Sequence, residues 1–120
     1  MSQKITKPKT SADTRLAAYG TLVPGEVNHH QLAGLNGKWI RGTVKGRVIK
    51  GGRGVHIGLP GMILDNSGED INIQIFVSPD LVNHWQRLDD FEGENFRRVV
   101  TKVSTEDGTL EANIYEIITP

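Results

Sequence analysis

A chain of 120 residues has the length of one domain and can bury a hydrophobic core without disulfide or metal staples. Fourteen basic and fourteen acidic residues cancel, so no overall field recruits nucleic acid or an anionic membrane, and a cysteine count of zero excludes disulfides and thiolate chemistry. No stretch approaches the roughly 18 apolar residues of a membrane helix and the N-terminus lacks a signal-peptide core, so a cytoplasmic location is expected.

In chain order, residues 1–14 are polar, carry Lys4, Lys7 and Lys9, and show no period, so they read as a flexible tail ahead of a single domain over 15–120. Arg15 to Tyr19 reads as a short buried strand stopped by Gly20. After a loop with Pro24-Gly25, Asn28 is placed to cap a short helix from His29 to about Leu35. Trp39 to Ile49 alternates, with Ile40, Gly42, Val44, Gly46 and Val48 sharing one face. A glycine-dense stretch, Gly51 to Gly61, leads to a strand at Met62-Ile63-Leu64 and a turn at Asp65 to Gly68. Ile71, Ile73, Ile75 and Val77 then give the cleanest period-two strand. Ser78-Pro79-Asp80 is a helix start, with a capping serine, proline at the first helical position and an acid in the first turn, and the helix runs to about Phe91. Phe96 to Ser104 and Leu110 to Ile117 form a hairpin around Asp107-Gly108. Fourteen glycines exceed the average usage of about 7% and suit a tightly curved sheet. The expectation is an α+β domain on a curved, largely antiparallel sheet.

The helix ends in an acidic cluster. At about 100° per residue, Leu81, Trp85 and Leu88 define one buried stripe, and the same wheel puts Glu92 within it, Asp89 at its border and Asp90 opposite. Burial and the carbonyls of the helix C-terminus both disfavour the ionised form of an inward Glu92, and a carboxylate tuned towards neutrality suits a general acid/base. Gly93 is placed to stop the helix. If the helix ends a residue or two earlier, Glu92 is instead a solvated loop acid. Tyr19-Gly20-Thr21-Leu22 leaves a strand and turns at once, either as an anion-binding nest of backbone N–H groups or as an ordinary loop exit.

Taken together, Tyr19-Gly20-Thr21-Leu22, Pro24-Gly25, Gly42-x-x-x-Gly46, Leu59-Pro60-Gly61-Met62, Leu88-Asp89-Asp90-Phe91-Glu92-Gly93 and Phe96-x-Arg98 resemble the γ-glutamylcyclotransferase-like family, which includes AIG2-like proteins. The resemblance spans about Leu16 to Ile118. It implies a small mixed, largely antiparallel β-barrel with a helix packed across it. It also implies that the α-amine of a γ-glutamyl amine or amino acid attacks its own γ-carbonyl, giving 5-oxoproline and a free amine. Glu92 takes the place of the family's acid/base, and Tyr19, Gly20, Thr21 and Leu22 the place of its substrate-binding loop. Pro60, Gly61, Phe96 and Arg98 are further candidates for the pocket, Arg98 as a pocket cation or as the structural partner of an aspartate. The implied partner is a small γ-glutamyl molecule, with neither nucleic acid nor membrane, and no cofactor or metal is required.

Two departures stand out: Phe96 replaces a usual tyrosine, and Ile73-Gln74 stands where many members have Gly-Glu. They motivate the alternative, a non-catalytic small-molecule binding or interaction domain that keeps the fold. His29, His30, His56 and His84 are scattered and read as surface or structural residues, His56 being the one placed to reach a pocket.

Overall fold

A computed structural model describes residues 12–19, 30–49 and 61–118. A 3-10 turn, Ala12–Thr14, leads into β1 (Arg15–Ala18); α1 (His30–Ala33) and β2 (Lys38–Ile49) follow. After β3 (Gly61–Leu64) and β4 (Glu69–Val77) come a second 3-10 turn at Pro79–Asn83, α2 (Trp85–Glu92), and the hairpin of β5 (Phe96–Thr105) and β6 (Gly108–Ile117). The strands run in the order β3-β2-β4-β1-β6-β5, and β5 returns to β2 through Thr43 and Ser104. Five strands therefore close a barrel, with β3 added to β2. The β1–β6 pair is parallel and the other pairs are antiparallel, which is the mixed, largely antiparallel barrel that the family resemblance implied.

Strand alternation divides the apolar side chains between two cores. Val44, Met62, Ile73, Ile75, Val103, Ala112 and Ile114 fill the barrel. On the outer face, Leu16, Ala18, Phe76 and Tyr115 pack against Leu32, Leu81, Trp85 and Leu88 of the helical segments. Leu81 and Leu88 are fully buried, which contributes roughly 1.5–3 kcal/mol each and fixes α2 against the barrel wall.

The Gly42 and Gly46 spacing has a steric purpose. A Cβ on Gly42 would lie 2.7 Å from Val103 Cγ1 and 2.9 Å from the Ser104 carbonyl oxygen, and one on Gly46 would lie 2.6 Å from Met62 Cε. Gly42 lets β5 approach β2 closely enough to close the barrel, and Gly46 lets β3 pack against the same strand. Val48, at the end of the row shared with Val44, is 39% exposed. By that point β2 has passed its last β4 partner, Glu69 opposite Gly46, and pairs with β3 alone.

The helix expected to run unbroken from Pro79 is in two pieces. Ser78 Oγ caps the first by accepting from Asp80 N–H at 3.1 Å. His84, at φ −121° and ψ 0°, turns the chain between the 3-10 segment and α2, and Leu81, Trp85 and Leu88 all remain buried. The short helix after the first strand is also tighter than expected, with Leu35 N–H donating to Leu32 O at 3.0 Å after α1 ends; its expected start, Asn28 and His29, lies outside the described residues. The turn Ala12–Thr14, ahead of the expected domain boundary at Arg15, is tied to the rest of the fold. Asp13 O accepts from Trp85 Nε1 at 3.0 Å, Ala12 O from Asn113 Nδ2 at 2.8 Å and Thr14 O from Ser78 N–H at 2.8 Å, so three backbone carbonyls fasten this turn. Among the described residues no helix is long and apolar enough to cross a membrane.

Candidate active site

Beyond the parallel pairing of Leu16 with Asn113 and Ala17 with Ile114, the next residues of β1 lead to Tyr19. The Tyr19 hydroxyl donates to the Tyr115 carbonyl at 2.6 Å, tying the end of β1 to β6. Burial raises the Tyr19 phenol far above its ordinary pKa, with the charges of Glu92 and Glu116 adding to the effect and the Met62 N–H opposing it. Tyr115 is raised first by burial, then by its hydrogen bond to Asp89 and the Asp89 charge, with Glu92 adding and Arg98 opposing. Both phenols therefore stay protonated at neutral pH.

Glu92 is the last residue of α2 and is half-buried. Burial pushes its carboxyl up from 4.5 to about 7. The helix stops there because Gly93, at φ 84° and ψ −176°, adopts an extended backbone of positive φ while its N–H donates to Asp89 O at 3.0 Å. The stop is thus a glycine-only conformation, reached by a different ψ from the usual left-handed cap. A carboxyl near neutrality is populated in both protonation states, so it can accept a proton and return it.

One turn earlier, Asp89 has the opposite environment. Burial alone would raise its pKa, but hydrogen bonds from Arg98 and Tyr115 and the Arg98 charge hold it below the ordinary carboxylate value. Arg98 Nε and Tyr115 Oη reach Asp89 Oδ1 at 2.8 and 2.7 Å. Arg98 also donates to Asn113 Oδ1 at 3.0 Å and stacks over the Trp85 ring at 4.5 Å. This network fastens the end of α2 to β5 and β6.

Of the residues singled out from the sequence, Glu92 and Tyr19 come close enough to interact electrostatically. Gly20, Thr21, Leu22, Pro60 and His56 lie outside the described residues. Gly61 is buried at the start of β3, where an added Cβ would meet Ile117 at 3.0 Å. Phe96 packs against the helix-facing core. Arg98 is engaged by Asp89, Asn113 and Trp85, as the aspartate-partner alternative for it described.

Tyr115 and Glu116 were not singled out. Glu116 is 5% exposed and accepts from Leu64 N–H at 2.9 Å and Arg97 Nε at 3.0 Å. Their signal in the sequence was the continuation of β6 alternation past Ile114, which says that they are held in place without saying by what. A groove of about 360 Å³, lined in part by Tyr19, Arg41, Asn72 and Gln74, opens beside the end of β1.

The family model described as gamma-glutamyl cyclotransferase, AIG2-like, matches residues 16–120. Among solved structures, YkqA from Bacillus subtilis is 27% identical with a TM-score of 0.67, over 87% of this chain and 35% of YkqA. An AIG2-like protein from Mus musculus is 19% identical with a TM-score of 0.69, over 91% of this chain and 80% of its own. A Kluyveromyces lactis allophanate hydrolase is 18% identical with a TM-score of 0.61, over 87% of this chain and 17% of the hydrolase. The chain thus spans about a third of the length of YkqA and a smaller share of the hydrolase. No curated protein sequence matches it. The barrel, the helix that ends in Glu92 and the match over nearly the whole domain agree, and the chain belongs to the gamma-glutamyl cyclotransferase, AIG2-like family.

Proposed function

We propose that the protein is an intramolecular cyclotransferase that converts a γ-glutamyl amine or amino acid to 5-oxoproline and releases the amine, with Glu92 as the proton shuttle. The observation that carries this reading is a half-buried helix-end carboxyl raised to about 7 beside the buried Tyr19 hydroxyl. The α-ammonium of the substrate first gives a proton to ionised Glu92. The freed amine nitrogen attacks the γ-carbonyl carbon, and a C–N bond forms to close the five-membered ring. The bond to the leaving nitrogen breaks as Glu92 returns the proton to it, and the second proton of the ring nitrogen then passes through the same carboxylate to the departing amine, which leaves as an ammonium. Proton count and charge balance with one relay group.

Nucleophile and electrophile share a molecule, so the protein's main task is to hold a folded, near-attack conformer. Tyr19, tied to Tyr115 O, supports this reading as a fixed wall of the site rather than a second acid. The backbone of residues 20–22 is the proposed site for the substrate carboxylate or the developing oxyanion.

The test is 5-oxoproline release from a panel of γ-glutamyl compounds by wild type and Glu92→Gln. The expected loss is about 10²–10⁴-fold, and in the wild type kcat/KM should rise with pH through a midpoint near the Glu92 value of about 7. Equal turnover by the two proteins would refute the mechanism.

A further inference from the structure

The basic residues on the outer row of β2 follow a pairing rule that fails at one position. Lys45 meets Asp70, its cross-strand neighbour on β4, at 2.9 Å, and Arg47 meets Asp65 at 3.1 Å. Arg41 stands directly across from Gln74, a neutral amide, and has no carboxylate partner among the described residues. Asn72, two residues from Gln74 on the same face of β4, is neutral as well. Gln74 is one of the two residues noted in the sequence as departures, and a neutral amide there gives Arg41 no charge partner across the strands.

The exception lies beside the candidate active site. Arg41, Gln74 and Asn72 line the groove of about 360 Å³ that Tyr19 also borders, and a volume of this size is at the small end of ligand cavities, about 300–1,000 Å³. Tyr19 feels the Glu92 charge and also borders this groove, and is therefore common to the groove and to the surroundings of Glu92. A guanidinium flanked by two side-chain amides is a recognition set for a carboxylate, since the guanidinium gives charge-assisted donors and the amides give orienting hydrogen bonds.

We propose that this groove binds the leaving half of the substrate and that Arg41 selects leaving amines that carry a carboxylate, amino acids or short peptides, over amines that do not. The assignment rests on the cyclotransferase reading for its chemistry and on the Arg41–Gln74 register for its selectivity. No covalent step beyond that reaction is added.

The experiment compares γ-glutamyl-alanine with γ-glutamyl-alaninamide, which differ only in the leaving carboxylate. For wild type, Arg41→Gln, Arg41→Lys and Gln74→Glu, two quantities are measured: kcat/KM for 5-oxoproline release and the Kd of each compound by calorimetry. Wild type should prefer the free carboxylate by about tenfold in both, the size of one partly exposed charge-assisted contact. Arg41→Gln should bring the ratio close to one, and Arg41→Lys should keep part of it. Gln74→Glu, which supplies the missing partner across the strands, should also collapse it. A tenfold preference in Kd without any 5-oxoproline would uphold the groove and overturn the reaction. Turnover with a ratio near one in wild type would overturn the groove and uphold the reaction. A ratio unchanged by Arg41→Gln would overturn the role of Arg41, and neither turnover nor preference would overturn both.

Discussion

Asp89 and Glu92 are carboxylic acids one helical turn apart, close to the same core, and the fold drives them in opposite directions. Asp89 meets a guanidinium and a phenol at 2.8 and 2.7 Å and is held ionised. Glu92 is shifted by burial alone and hovers near neutrality. The difference shows that helix position sets only which way an acid points, while the strands beneath it decide what the acid can do. β5 and β6 supply Arg98, Asn113 and Tyr115 under Asp89, which becomes a fastener, while burial sets the proton affinity of Glu92.

The largest effect that would sharpen this contrast is on turnover. Glu92→Gln should lose about 10²–10⁴-fold in kcat, while Asp89→Asn, which removes charge from the fastener, should lose less than about tenfold. Similar losses in the two variants, measured as steady-state 5-oxoproline release, would break the contrast.

A smaller effect should appear in stability, with opposite signs. Between 4.5 and about 7 the folded chain holds a proton on Glu92 that the unfolded chain has released. Stability from this group is therefore greatest at low pH, falls by at most about 3 kcal/mol across that window, and is level above it. Glu92→Gln should flatten the fall in urea titrations and unfold at higher urea than wild type at pH 8. The Asp89 contribution is present above its unfolded value of 3.8 and is lost as pH falls below it. Asp89→Asn should accordingly cost about 1–2 kcal/mol at pH 7, since Arg98 and Tyr115 keep only a neutral acceptor. The mildest change is Gly93→Ala at the positive-φ stop, with an expected loss of about 1 kcal/mol by thermal unfolding. An unchanged Tm there would mean that the end of α2 relaxes without it.

Much of the fold was legible because it is periodic. Ile71, Ile73 and Ile75 alternate with Asn72 and Gln74, since one face of β4 fills the barrel and the other does not. Leu81, Trp85 and Leu88 mark the helix stripe even though the chain turns at His84. The inward direction of Glu92 followed from that stripe, but its partners did not. Arg98 and Tyr115 reach Asp89 from strands that follow it in the chain, and no local spacing encodes the register between them. The same holds for Arg41, whose neutral cross-strand neighbour Gln74 becomes visible only when β2 is laid against β4. Barrel closure hangs on Thr43 meeting Ser104, 61 residues apart, and the glycine that permits it, Gly42, marks a close approach without naming its partner.

The parallel pairing of β1 with β6 has a consequence for assembly. Leu16 and Ala17 find their partners at Asn113 and Ile114, almost a full domain later, and contacts of such sequence separation slow folding because the intervening chain must be closed first. During synthesis the β2–β4 ladder can form early, but the β1–β6 seam must wait until Ile114 has left the ribosome. Tyr19 is fastened to Tyr115 just beyond that seam, so the two ends of the domain meet, and the candidate site is assembled, only after β6 has emerged.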